Sequence, residues 1–404
     1  MALPPGFEAI DFETYHRDTL PGLLAAGRGR LAARAAARLQ SRLALRLPEG
    51  AAFTYVPTAS GIDVVAGDAA ATTVIELDLE AWQSLAHELE AVAGLTYAGR
   101  LRCRRGNAVE LMAWESALRA MYNGRPPYEP ARLDLRDRRG APLDRNASFG
   151  LDAERDDMAH FLRTAGYLFV RGVLRPDEVE RLRAEAAALR DAARPGDKLS
   201  WWGRTSRGEE VLCRVTCGVR KPGLAGLATD ARLLSLVALA EEPLVYSKGE
   251  GEGVAVIFKR PDMREGLGDL PWHRDCGVGG HASRCPLLQL SIYLREATPE
   301  SGELAMLPGS HRAAFNAHDA TLDPMAWAAH FAAQPGDVSL HYSDTVHAAP
   351  PPTASDRAEY RVSAVLSFGR PTARHHRGES SYNDVLHQRA DGQIEHLNEV
   401  ARRL

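Results

Sequence analysis

The stretch Pro271-Trp272-His273-Arg274-Asp275 constrains this chain more than any other segment. Along a β-strand, residues i and i+2 point to the same face. On a strand, His273 and Asp275 can therefore offer an imidazole and a carboxylate to one ion. A third ligand is expected at His347, 72 residues beyond Asp275, in the segment Asp337-Val338-Ser339-Leu340-His341-Tyr342-Ser343-Asp344-Thr345-Val346-His347. Two histidines and one carboxylate on one face of a metal leave coordination positions open, which is the ligand set of non-haem Fe(II) oxygenases. His-x-Asp alone arises often by chance in a chain with 14 histidines, so the flanking residues carry the weight.

Those flanks form ordered blocks. Phe161 to Leu174 reads Phe-Leu-Arg-Thr-Ala-Gly-Tyr-Leu-Phe-Val-Arg-Gly-Val-Leu, and Ile257-Phe258-Lys259-Arg260-Pro261 follows. After the His-x-Asp come Ser301-Gly302-Glu303-Leu304-Ala305-Met306-Leu307-Pro308-Gly309-Ser310-His311, then Gly336-Asp337-Val338, then His347. Over about residues 155–370 these blocks resemble the phytanoyl-CoA dioxygenase family of Fe(II)/2-oxoglutarate oxygenases. The resemblance implies a double-stranded β-helix (jelly-roll, cupin-like) core with flanking helices. It also implies Fe(II) held by His273, Asp275 and His347, with 2-oxoglutarate and O2 as cosubstrates.

2-Oxoglutarate chelated through its keto-acid end leaves a distal carboxylate, which a guanidinium can clamp bidentately. In the family the clamp opens the strand after the distal histidine. Arg357 and Arg361, ten and fourteen residues beyond His347, both fit. Arg361 is favoured because it begins an alternating strand and shares a face with Ser363 and Ser367, whereas Arg357 sits in a polar stretch that reads as an exposed turn. Lys259 matches a family lysine associated with cosubstrate binding, and Gln289 is a further candidate behind the ligands. One departure is Ala349, two residues after the distal histidine, where the family often has a small hydroxyl residue.

The residues themselves support strands around these blocks. In Leu288–Leu294 the even positions are Leu, Leu, Ile and Leu and the odd ones Gln, Ser and Tyr; Arg361–Phe368 alternates in the same way. Such period-2 alternation marks half-polar strands, whose polar faces are expected to line a cavity and whose apolar faces are expected to pack under helices. Of the remaining histidines, His311 reads as structural, His281 and His341 as surface or packing residues near the mouth of the site, and His375 and His376 as solvated.

Net charge is −4, with 45% hydrophobic and 25% charged residues. No basic tract suggests nucleic acid, no 18-residue apolar run suggests a membrane span, and no signal peptide opens the chain. The five cysteines, at 103, 213, 217, 276 and 285, lack zinc-site pairing and read as reduced thiols of a cytoplasmic protein.

Residues 1–123 read as a separate α/β unit, 124–150 as a Pro- and charge-rich linker, and 151–404 as the oxygenase domain with a polar tail, giving an α+β chain overall. In the first unit a helical stretch around 20–46 is followed by strands at 53–56, 62–65 and 72–79. A helix carrying Trp82, Leu85, Leu89 and Val92 comes next, then strands at 95–97 and 101–104. A last helix places Leu111, Trp114, Leu118 and Met121 on one face. Over about 30–123 this order resembles the sterol-carrier-protein domain, which would imply either a lipid tunnel or a closed core. In the second unit, the helix opened by Pro176 is expected to turn Val179, Leu182, Ala186 and Leu189 inward, and 195–253 to form a lid or substrate wall.

The expected function is hydroxylation of an unactivated C–H bond in a small molecule, lipid-like or a natural product, with succinate and CO2 formed. Desaturation or epoxidation would use the same ligands. The competing readings are a lipid carrier whose barrel no longer turns over, and a metal-dependent isomerase or hydrolase on a cupin-like barrel. A homodimer is left open.

Overall fold

In the computed structural model a helical stretch over residues 12–36 precedes five short strands: β1 (Leu43–Arg46), β2 (Ala52–Pro57), β3 (Ile62–Ala66), β4 (Thr73–Glu76) and β5 (Arg102–Arg105). The structure describes residues 3, 6–37, 39–247, 253–260, 262–263, 270–275, 287–315, 322–353, 361–371 and 397–404. Arg357, Cys276, Cys285, His281, His375 and His376 lie outside the described residues.

The five strands pair in the order β3-β2-β1-β4-β5, with β1 antiparallel to β2 and parallel to β4. Expected as the tail of a helix, Leu43–Arg46 is instead the central strand. Leu43, Ala44 and Leu45 are all fully buried, and a short run buried on both faces carries no period to separate strand from helix. The reverse error falls at 95–97, which belongs to the helix Val92–Tyr97, where the Thr96 hydroxyl donates to Val92 O at 2.8 Å. The stripe Trp82, Leu85, Leu89, Val92 is buried as expected but is not one helix. The chain breaks at Glu88, whose φ is +55° and whose buried carboxylate accepts from Arg125 Nε at 2.7 Å. The helix Val109–Asn123 does bury Leu111, Trp114, Leu118 and Met121, and ends on the left-handed Gly124.

The remaining strands are β6 (Phe149–Gly150), β7 (Tyr167–Arg171), β8 (Ser200–Arg204), β9 (Glu210–Val215), β10 (Val245–Ser247), β11 (Ala255–Lys259), β12 (Leu270–His273), β13 (Leu288–Tyr293), β14 (Ala305–Met306), β15 (Ala329–His330), β16 (Val338–Tyr342), β17 (His347–Ala349) and β18 (Arg361–Gly369). A large sheet runs β6-β7-β16-β13-β18-β11-β9-β8, with β10 also on β18, and a small sheet runs β12-β17-β14-β15. They face one another as the halves of a jelly roll.

Alternation decides which face of the large sheet goes where. Leu288, Leu290 and Ile292 of β13 join Val338 and Leu340 of β16 and Ala364, Leu366 and Phe368 of β18 in one core. The helices Arg155–Ala165 and Pro176–Ala192 cover it with Phe161, Leu162, Val179, Leu182, Ala186 and Leu189. The opposite face carries Gln289, Ser291, Ser339, His341, Ser363 and Ser367 and turns toward the small sheet. Two contacts fix this: Lys259 Nζ donates to Ala349 O and Pro350 O, both at 2.6 Å, and His341 reaches Asp275. The segment expected as a lid, 195–253, supplies β8, β9 and β10 to the large sheet, with Arg214 stacked over Trp201.

The stretch expected as a linker is tied down on both sides. Tyr128 is buried against Ala305, Leu307, Ala313 and Val346; its N–H donates to Ala314 O at 2.8 Å and its hydroxyl to Pro308 O at 3.2 Å. Ser116 of the helix Val109–Asn123 donates to the same Ala314 O. At the other end of the chain, the helix Leu397–Arg403 buries Ala401 in the core of the N-terminal unit. Removing residues 1–123 is therefore expected to lower the melting temperature of the remainder or render it insoluble, and Tyr128→Ala in the full chain to destabilise by roughly 3 kcal/mol. Thermal and denaturant unfolding of the three proteins checks this; unchanged midpoints would mean that the cross-unit contacts carry no stability.

Candidate metal centre

β12 and β17 are antiparallel neighbours, and their register pairs His273 directly with His347. The irregularity between Leu270 and His273 leaves β12 short, and Asp275 lies just past its end. The ligand atoms of His273, Asp275 and His347 all lie within 4.8 Å of one another. Asp275 Oδ1 stands 3.5 Å from His273 Nε2 and 3.6 Å from His347 Nε2, and the two rings are 4.3 Å apart at their centroids.

The hydrogen bonds behind these rings show what the cluster is built for. His273 Nδ1 contacts Pro271 O at 2.8 Å and His347 Nδ1 contacts Thr345 O at 2.9 Å. A carbonyl only accepts, so each Nδ1 must carry the proton. Burial pushes His347 down to about 3, so its ring is neutral at ordinary pH. Its Nε2 then presents a bare lone pair toward Asp275 Oδ1. Burial alone would raise the Asp275 carboxyl, yet His347, His273 and His341 hold it well below the usual carboxylate range. The Nε2 atoms of His273 and His347 and a carboxylate oxygen of Asp275 thus converge, each able to give a lone pair to a cation between them. The donor set fits Fe(II), and the backbone carbonyls fix the tautomers as outer-shell partners of metal-bound histidines do.

Two braces hold the strands. Ser310 Oγ accepts from Val346 N at 2.8 Å and donates to Leu307 O at 2.7 Å, fixing the approach to His347. Arg274, between His273 and Asp275, turns the other way and is buried, donating to Ser310 O at 3.1 Å and to Ala313 O. The Pro-Gly-Ser-His loop thus links both ligand strands. His311 itself packs on Tyr342 and contacts Arg163 O, outside the ligand cluster.

Arg361 is the direct cross-strand partner of Lys259. Its guanidinium is buried; Nη1 donates to Gly302 O, and Nε has no hydrogen-bond partner among the described residues. A buried guanidinium with an unspent donor suits an anion. Lys259 is also buried, on the two carbonyls already named. Gly302 permits this closeness: its φ is +70°, and a Cβ there would meet Pro350 O at 2.5 Å and Lys259 Nζ at 2.8 Å. Gln289 lies opposite both His341 and Ser367, and its Oε1 accepts from Ser367 Oγ at 2.7 Å.

Residues 162–358 match the model of the family described as phytanoyl-CoA dioxygenase (PhyH). They are a PhyH-family domain. Ectoine dioxygenase from Sphingopyxis alaskensis is 28% identical over 149 residues, 36% of this chain and 46% of that protein, so the match spans about half the relative's length. Among solved structures, AviO1 from Streptomyces viridochromogenes Tue57 is 26% identical with a TM-score of 0.44, covering 55% of this chain and 96% of that one. The non-heme alpha ketoglutarate dependent epimerase SnoN from nogalamycin biosynthesis is 23% identical with a TM-score of 0.45, covering 57% and 86%.

His341 was read from sequence as a packing residue. The structure buries it within the PhyH domain's ligand cluster, its ring 4.5 Å from His347 and its Nε2 3.2 Å from Asp275 Oδ2. The signal was available: Val338 and Leu340 face the core, so period 2 places Ser339 and His341 on the polar face shared with Gln289.

Replacing His273 or His347 by Ala is expected to cost more than roughly 100-fold in Fe(II) affinity, beyond the 10- to 100-fold typical of outer-shell changes. Asp275→Gly should retain weaker binding through the two imidazoles. Anaerobic metal titration followed by elemental analysis measures both, and full occupancy in the histidine variants would sink the ligand assignment.

Proposed function

We propose that this protein is an Fe(II)- and 2-oxoglutarate-dependent oxygenase acting on an unactivated C–H bond of a small molecule. The observation that carries the proposal is the convergence of His273 Nε2, His347 Nε2 and Asp275 Oδ1, beside a buried arginine on the adjoining sheet. Fe(II) held there supplies O2 activation coupled to oxidative decarboxylation of 2-oxoglutarate. One oxygen atom of O2 enters succinate and the other the hydroxylated product, while CO2 leaves.

The chain's own residues bind and orient. His273, Asp275 and His347 would hold the ion with three protein atoms, leaving it able to take the keto acid and O2. Arg361 and Lys259 give the interior a positive end, where Arg361 receives the distal carboxylate and Lys259 holds the turn after β17 in place. The polar face of β13, β16 and β18 offers Gln289, Ser363 and Ser367 to a polar part of the substrate. Desaturation or epoxidation would use the same groups.

For the N-terminal unit, which resembles sterol-carrier domains, we favour a structural role. Its centre is filled by Trp82, Trp114 and Tyr55, and His16 Nε2 meets Tyr55 Oη at 2.6 Å there. No helix of the described residues is long and apolar enough to cross a membrane. Together with the thiols of Cys103 and Cys217, this accords with a cytoplasmic location.

Succinate formation by the Fe(II)-loaded protein should require 2-oxoglutarate and disappear in Asp275→Gly; if it fails to appear in the wild type with panels of small-molecule substrates, the oxygenase reading falls. Arg361→Ala removes a charge-assisted contact worth roughly 2–4 kcal/mol. It should weaken 2-oxoglutarate binding by about 30- to 1000-fold with iron content unchanged, whereas Arg357→Ala should shift it only slightly. Titration of each variant with 2-oxoglutarate decides between them, and the reverse order would move the clamp to Arg357.

A further inference from the structure

Asp275 has two oxygens, and the metal reading uses one. Oδ1 faces His273 Nε2 and His347 Nε2, while Oδ2 faces His341 Nε2 at 3.2 Å. A carboxylate that ligates a metal is ionised and only accepts. The proton in that contact therefore lies on His341 Nε2. His341 thus turns Nε2 as a donor to the carboxylate, whereas His273 and His347 turn Nδ1 to backbone carbonyls. Three histidines surround one carboxylate, two with Nε2 at the side of Oδ1 and one with Nε2 at Oδ2.

The donor is rigidly mounted. His341 is buried on β16, paired with Gln289 of β13 on one side and Tyr167 of β7 on the other. Asp275, by contrast, lies beyond the end of β12 and is partly exposed, so little in its own strand fixes its side-chain torsions. The immobile sheet holds the carboxylate.

Resting on the Fe(II) assignment above, we propose that His341 is a positioning residue for the carboxylate ligand. Its Nε2–H occupies Asp275 Oδ2 and leaves Oδ1 alone to ligate. A carboxylate tied in this way cannot swing to bidentate coordination. The coordination position that a second oxygen would take stays available to cosubstrate and O2.

Two substitutions separate the hydrogen bond from packing. A glutamine amide can place its nitrogen near the position of histidine Nε2, so His341→Gln keeps a donor to Oδ2, whereas His341→Phe keeps a ring and removes the donor. Anaerobic titration with Co(II), followed through visible d–d absorption, reads affinity and coordination without turnover. His341→Phe should lose about 10- to 100-fold in Co(II) affinity, as outer-shell changes do, with an altered d–d spectrum. His341→Gln should recover affinity to within about threefold of wild type on that scale and restore the spectrum. Circular dichroism and melting of each variant confirm that the fold persists. Wild-type affinity in both variants overturns the proposal while leaving the metal site intact. Equal loss in both folded variants overturns it in favour of His341 as a fourth ligand. Failure of the wild type to bind Co(II), with His273→Ala indistinguishable from it, overturns the metal assignment and this proposal together.

Discussion

The Asp275 carboxylate is the point on which the jelly roll closes. Its oxygens face His273 and His347 from the small sheet and His341 from the large one. The surrounding nitrogens hold this half-buried carboxylate below its usual range. Its position requires β12 to pair with β17 in the one register that sets His273 against His347. A slip of one residue would turn the ligands to opposite faces.

That register depends on charge and backbone contacts away from the metal. Arg274 cannot point into the site, because its neighbours on either side do. It turns outward and grips Ser310 O and Ala313 O, while Ser310 also holds Val346 N. Beneath lie charges of the helix Val109–Asn123: burial pushes Arg274 down to about 10, Arg119 and Arg125 add to that effect, and Asp344 and Glu115 oppose it. The N-terminal unit thus contributes to the electrostatic surroundings of the segment His273–Asp275. This gives a physical reason for the contacts of Ser116 and Tyr128 with the loop 308–314.

The cationic end of the site rests on close approach. Lys259 and Arg361 are neighbouring cations on β11 and β18, kept apart in role by their partners: carbonyls of Ala349 and Pro350 for one, Gly302 O for the other. The absence of a side chain at Gly302 lets the three segments meet.

Sequence by itself determined the parts that rest on local periodicity and fixed spacing. The alternation in β13 and β18 assigned core and interior faces, and the His-x-Asp spacing named His273 and Asp275, although Asp275 lies past the end of β12. The helix Pro176–Ala192 showed its buried residues through a 3.6-residue period. Tertiary structure decided what has no local period. Leu43–Arg46 is a strand because β2 and β4 flank it on both sides, and Glu88 breaks a helix because Arg125 lies near enough to take its carboxylate. His341 joins the centre because a sheet brings it to Asp275, 66 residues away in the chain. A hydrogen bond between distant residues leaves no spacing to read, since its geometry is fixed only when the two sheets have packed.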